Sequence, residues 1–253
     1  MELQRVPGMR LGRTPKRDDP RNFILATYLP VLPKAPASLD LTTGIAKWPM
    51  YANDQLGDCT CAAAAHMIEV WSEQVDKKAK TFTDNQVIAL YNLVNGGQDN
   101  GANMLDVLHV WRHAGLARHR VIAFAEVNVA NKNLVKVGSW MFSGLYIGVN
   151  MPKSAQAQTG PGKVWDAASG PDGKPRSWGG HAVDVVGYDA KGLTVVTWGI
   201  LQKMTWAFWN KYVEEAYACL PMEYKKLKAK PLANGFKEQE LEKDLQNVGP
   251  VNP

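Results

Sequence analysis

Asn53-Asp54-Gln55-Leu56-Gly57-Asp58-Cys59-Thr60-Cys61-Ala62-Ala63-Ala64-Ala65-His66 decides how the chain is read. A polar turn runs into an acidic residue, and a cysteine follows at the head of an alanine-rich run. Asp58 fits the N-cap position, because a carboxylate there accepts from the first free backbone N–H groups of a helix. Alanine is the strongest helix former. The pattern predicts a helix from Cys59 to about Val75, carried on by His66, Ile68, Val70 and Trp71. Lys77 and Lys78 stand near its end, where the dipole favours cations. Cys59 takes the first helical position, and the positive end of the dipole there favours a thiolate. Cys61 points about 200° round the helix from it. Cys59 is therefore the preferred nucleophile and Cys61 the alternative.

The second chemical signal is far downstream. Gly179-Gly180-His181-Ala182-Val183 opens an apolar strand pattern that reaches Tyr188. A thiol at a helix start and a histidine on a distant strand suit a thiolate–imidazolium pair. The backbone N–H of Cys59, with one side-chain amide, would form an oxyanion hole.

The rest of the chain reads outward from these two points. Residues 1–47 carry Pro7, Pro15, Pro20, Pro30, Pro33 and Pro36, which leave no helical period intact. Phe23, Ile24, Leu25, Tyr28, Leu29, Val31 and Leu32 make the same segment too apolar for a free tail. It reads as an extended arm docked on its own domain or on a neighbouring subunit. Thr83-Asp84-Asn85-Gln86 opens a second helix that Gly96-Gly97 ends, and a third runs from Met104 to Gly115. Strands are expected at 121–125 and 145–149, with a helix over 131–142 between them. His181–Tyr188 and Leu193–Trp198 form a hairpin across Asp189-Ala190-Lys191-Gly192. Thr205–Tyr217 is expected to be helical, and Glu238–Leu245 likewise. Helices followed by strands indicate α+β.

These residues resemble the papain-like cysteine peptidases. In that family a glutamine-bearing turn precedes Gly-Ser-Cys-Trp-Ala at the start of a central helix; here Gly57-Asp58-Cys59-Thr60-Cys61-Ala62 stands there. The family histidine is followed by Ala-Val and then Val-Gly-Tyr, as in His181-Ala182-Val183-Asp184-Val185-Val186-Gly187-Tyr188. An Asn-Ser-Trp-Gly strand comes next, matched by Val196-Thr197-Trp198-Gly199. The resemblance implies an α+β papain-like fold, with an N-terminal helical subdomain whose central helix packs against a C-terminal antiparallel β subdomain. It implies Cys59 as nucleophile and His181 as base. Asn53 lies at the family's amide offset if Cys59 attacks, and Gln55 does if Cys61 attacks. The chain departs from the family where Val196 replaces the orienting asparagine, and Thr197, one residue off, is the remaining candidate for that role. Asp184 is an odd number of residues from His181 and faces away on a regular strand. Asp58 places a carboxylate beside the thiol, which raises its pKa. More narrowly, Gly57-Asp58-Cys59-Thr60 with Val196–Gly199 and Met204-Thr205-Trp206 is similar to a group of phage and prophage proteins.

The expected organisation is an arm over 1–47, a papain-like domain over 48–220, and a basic extension with a short helix over 221–253. Two functions compete. One is a thiol hydrolase acting on a peptide or isopeptide amide of a peptide or protein substrate. The other is an inactive scaffold serving as a virion structural or assembly protein, with residues 1–47 reaching neighbouring subunits. The net charge of +5 is partly in the two tails and reads as solvated, so nucleic acid is not an expected partner. Three cysteines are too few for a disulfide framework. Cys59, Cys61 and His66 lack a second ligand pair, so neither metal nor cofactor is expected. No run approaches the roughly 18 apolar residues of a membrane span. Met1–Arg17 lacks the apolar stretch of a secretory signal, so the expected setting is the host cytoplasm, with incorporation in a virion under the second function.

Overall fold

In the computed structural model, residues 8–20, 22–222 and 236–247 are described. Helix α1 spans Cys59–Asp76, and every residue from Cys59 to Glu73 is buried. A helix buried on all sides lies inside a fold rather than upon it. Its alanines make that possible, since side chains of one carbon let the sheet and two helices approach together. Trp71 stacks on Trp111 at 5.5 Å between ring centroids, tying α1 to helix α3, Met104–His113. Between them runs α2, Asp84–Asn95. Thr83 closes a capping box with Gln86, and Gly96 ends the helix at φ 67°.

One sheet carries the remainder. Its strands are β1 (Leu39–Asp40), β2 (Val121–Glu126), β3 (Leu145–Met151), β4 (Val164–Trp165), β5 (Gly179–Tyr188), β6 (Gly192–Thr197), β7 (Ile200–Thr205) and β8 (Val213–Pro221). The order is β2-β8-β3-β5-β6-β7-β4, with β1 added to β5. Pairing is antiparallel except between β4 and β7. β5 is buried along its whole length and lies against α1. Helices α4 (Lys132–Met141), α5 (Trp206–Tyr212) and α6 (Glu238–Asn247) are the remaining α-helices among the described residues.

Three local expectations need correction. The helix expected over Thr205–Tyr217 stops at Tyr212, and Val213 begins β8. The aromatic period of 206–212 is helical, but β8 is bound on both sides by β2 and β3, and that pairing outweighs the local pattern. β7 was not expected at all; its residues alternate in exposure, and its ladder to β6 fixes it. Asp58 does occupy the N-cap position, but its side chain makes no capping bond. Its backbone is not extended (φ −97°, ψ 16°), so the carboxyl turns inward instead of over the helix end.

The apolar part of the arm docks on its own body. Leu25–Tyr28 forms a short 3-10 helix, Ile24 bridges Glu126 beside β2, and the Tyr28 hydroxyl donates to Asp244 of α6 at 2.8 Å. Val31 and Leu32 remain exposed. The basic stretch Lys225, Lys226, Lys228 and Lys230, and Arg5, lie outside the described residues.

Candidate active site

Cys59 at the head of α1 and His181 near the start of β5 line one small void with Asn53, His66, Thr197 and Trp198. The void measures about 10 Å³, close to the space one water needs. Both Cys59 and His181 are 1% exposed. The thiol receives backbone N–H groups from Ala182 and from Gly12. The His181 Nε2 lies 2.7 Å from Thr197 Oγ1, and Nδ1 is the ring nitrogen left without a partner.

The turn after Thr197 fixes this ring. Thr197 pairs with Ile200 across a two-residue turn, Trp198-Gly199, with φ of 43° and 72°. Positive φ at both central residues marks a hairpin turn of the I′ kind, which favours Asn-Gly. A tryptophan there is strained. In exchange its indole lies flat on the imidazole, with centroids 4.1 Å apart and planes 12° apart. Its Nε1 donates to the Arg10 carbonyl at 3.1 Å. Trp178 packs against Trp198 with ring centroids 5.5 Å apart.

The other candidates separate clearly. Asn53 is buried at the void, set there by Tyr51 and Ala52 at φ 55° and 64°, and its Nδ2 donates to the Leu56 carbonyl at 3.2 Å. Gln55 is exposed on the turn and does not line the void. Cys61 is buried away from the void, with the Thr60 hydroxyl 4.0 Å from its sulfur. Val196 lines the void but offers no polar atom. Asp184 is buried, and both of its carboxyl oxygens lack a partner. His66 is held in the core by the Pro49 carbonyl at 2.8 Å. Among the described residues, no group of three or more His, Cys, Asp or Glu is placed to hold a metal, and no helix is long and apolar enough to cross a membrane.

Burial keeps the site neutral. It pushes the Cys59 thiol up to about 11, against the two N–H groups and with help from Asp58. It brings His181 down to about 3, and the nearby Arg13 guanidinium acts in the same direction. Asp58 is raised to about 8, again by burial first. At neutral pH the pair is thiol and imidazole, not thiolate and imidazolium.

What buries the site is the chain's own arm, through Arg10–Thr14 rather than through its apolar stretch. Arg10 N–H bonds the Asn53 carbonyl (3.0 Å), Arg13 N–H the Gly180 carbonyl (3.1 Å), and Thr14 N–H the Ala102 carbonyl (3.0 Å). The Gly12 carbonyl accepts from Ala102 N–H at 2.8 Å. The arm thus bonds to both walls of the cleft. It lies so close that a Cβ on Gly12 would meet the Gly57 carbonyl oxygen at 1.7 Å, and one on Gly180 would meet the Arg13 carbonyl at 2.2 Å. Arg13 is 2% exposed; its guanidinium bonds Glu215, Glu214 at 2.8 Å and Asn150 at 2.7 Å. Above the arm the cleft remains open as a groove of about 610 Å³, bordered by Lys153, Arg176 and Trp178. Nothing local in Leu11-Gly12-Arg13 signals this, because the arginine's partners lie more than a hundred residues away.

Solved structures share the architecture. Xylellain, a cysteine protease from Xylella fastidiosa, superposes with a TM-score of 0.65 over 87% of this chain and 99% of its own, at 15% identity. Procathepsin B S9 from Trypanosoma congolense gives 0.59 over 84% and 86%, at 12% identity. A recombinant stem bromelain precursor gives 0.56 over 85% and 78%, at 13% identity. No protein-family profile and no curated protein matches the sequence. The fold is papain-like, of the α+β class that the resemblance implied.

Proposed function

We propose that this protein is a papain-like thiol hydrolase that cuts a peptide or isopeptide amide and is held closed by its own arm. The observation that carries the reading is the setting of His181. One ring nitrogen is bonded to Thr197, the ring face is covered by Trp198, and the other nitrogen is free at the void it shares with Cys59. This is the arrangement a general base needs: an orienting partner on one nitrogen, and the other left unbonded beside the void that the nucleophile also lines. Thr197 takes the place that the missing asparagine left.

With the arm displaced, water reaches both groups and the burial that separates their pKa values is relieved. His181 Nδ1 then takes the thiol proton as Cys59 sulfur attacks the carbonyl carbon. The negative oxygen faces the Cys59 N–H and the Asn53 amide. As the C–N bond breaks, His181 gives the proton to the departing amine. A water, deprotonated by His181, then frees the acid from the sulfur. The phage or prophage setting belongs to the same proposal and rests on the sequence resemblance around Gly57–Thr60 and Val196–Gly199.

One observation favours the second reading, an inactive assembly scaffold: Cys59 is covered by a strap anchored through a buried arginine. Iodoacetamide labelling of Cys59, read by mass spectrometry of its peptide, separates the two. The comparison is between Gly12→Val, which drives the arm out by collision with Gly57, and Gly12→Val with His181→Ala. The hydrolase reading expects labelling at least tenfold faster when His181 is present. Equally slow labelling of both rejects it in favour of the scaffold.

A further inference from the structure

Asp58 directly precedes the nucleophile, and it does none of the work its position suggests. It stands at the N-cap of α1 without a capping bond, it is 0% exposed, and neither of its carboxyl oxygens has a hydrogen-bond partner. A buried polar group left in this state calls for a reason in function. The groups that face it are the Asn53 side chain, the thiols of Cys59 and Cys61, and two further carboxylates, Asp99 and Asp84. The arm's Arg10 bonds Asp99 instead, at 3.1 Å. With burial around it and acids facing it, the Asp58 carboxyl keeps its proton up to about pH 8. A neutral carboxyl carries an O–H and is a donor as well as an acceptor.

Asn53 connects Asp58 to the void that Cys59 and His181 share. Its Nδ2 carries two hydrogens. One is bonded to the Leu56 carbonyl at 3.2 Å, and the other is available to a negative oxygen formed on Cys59's substrate. Held by the first bond alone, the amide can still swing about its last torsion. A donor on Oδ1 fixes its plane. An ionised Asp58 does the opposite, because a carboxylate only accepts and draws Nδ2 toward itself.

We infer that Asp58 is a positioning residue for the oxyanion site: its protonated carboxyl donates to Asn53 Oδ1 and so aims Nδ2 at the oxygen that turns negative when Cys59 attacks. The inference rests on the hydrolase reading and deepens it. The aid is present in the neutral form and is lost as pH rises through about 8. The thiol runs the other way, becoming a better nucleophile as pH rises.

The test divides one reaction of Cys59 by another. p-Nitrophenyl acetate acylates the thiol: the sulfur bonds the carbonyl carbon, an oxyanion forms, and nitrophenolate leaves. Iodoacetamide alkylates the same sulfur by displacing iodide, and no oxyanion forms. The ratio of the two rates reports the oxyanion site with the supply of thiolate divided out. In Gly12→Val the ratio is expected to fall at least tenfold between about pH 6.5 and 9.5. Adding Asp58→Asn, whose amide donates at every pH, is expected to make the ratio level. Adding Asp58→Ala is expected to lower it at least tenfold at the acid end. A ratio already level in Gly12→Val, an equally steep fall with Asp58→Asn, or no loss with Asp58→Ala overturns the inference. Should Gly12→Val lose its cooperative melt, Arg13→Ala releases the arm at its anchor and takes its place. Should Asp58→Ala lose its melt, the pH profiles with Asp58 and with Asp58→Asn decide alone. The hydrolase reading is judged separately, by whether alkylation depends on His181, so either can fail without the other.

Discussion

At position 197 a single hydroxyl holds the imidazole by 2.7 Å of hydrogen bond. Thr197→Val keeps the shape and leaves a buried ring nitrogen unpaired, which costs about 1–3 kcal/mol. Urea denaturation is expected to show that loss, and Thr197→Ser is expected to restore most of it. The neighbouring thiol gives a second residue-scale prediction. With its pKa raised to about 11, Cys59 in the intact chain is almost wholly protonated at neutral pH. Its iodoacetamide rate is expected to climb steadily through the neutral range and to level off only near pH 11. In Gly12→Val the plateau is expected to move toward neutrality; a plateau near pH 7 in the intact chain contradicts the burial account. Cys59 and His181 were legible in the sequence because each begins a regular element whose signal is local. Thr197 was visible only as a misaligned hydroxyl. Its direction depends on the positive-φ turn that follows, and a tryptophan does not advertise such a turn.

At the scale of elements, α2 offers a clean test of local reasoning. Its capping box joins Thr83 and Gln86 at an exposed helix start. Thr83→Ala is expected to cost about 1 kcal/mol in a chemical denaturation curve. The same reasoning fails at Asp58, where burial turned a capping residue into an inward carboxyl. The helical elements were readable because their apolar period is carried within a few residues: α1, α3 and α4 begin and end close to where the pattern places them. β7 and β8 were not, because strands gain their hydrogen bonds from partners distant in sequence. Val213–Tyr217 follows an aromatic helix without a break in composition, and only the space between β2 and β3 makes it a strand.

At the scale of the whole molecule, two of the arm's arginines, Arg13 and Arg10, should differ sharply in weight. Arg13 pairs with Glu215 with both side chains fully buried, whereas Arg10 and Asp99 are partly exposed. Breaking the first leaves the Glu215 carboxyl without its cation inside the protein and is expected to cost about 3–5 kcal/mol. Breaking the second is expected to cost about 0–1 kcal/mol. Thermal melts of Arg13→Ala and Arg10→Ala make the comparison. Global stability should also depend on pH in a set direction. Burial raises Asp58 and Glu69 to about 8, well above their ordinary values, so the folded state holds protons that the unfolded chain has released. Their contribution is complete in acid and is lost as pH rises toward 8. His66 and His181, lowered to about 4 and about 3, act oppositely, but only below their ordinary value near 6.5. Between about pH 6.5 and 8 the acids act alone, and the melting temperature is expected to fall, less steeply in Asp58→Asn. The span between the ends of the strap's anchor has a consequence for timing. Arg13 leaves the ribosome early, while Glu215 is made 202 residues later. At the usual synthesis rates of about 5–20 residues per second, that gap lasts about 10–40 s. Cys59 and the strap are therefore made long before the wall that fixes the strap exists, so closure of the site follows completion of the last strand and every molecule passes through an unlatched form on its way to the latched one.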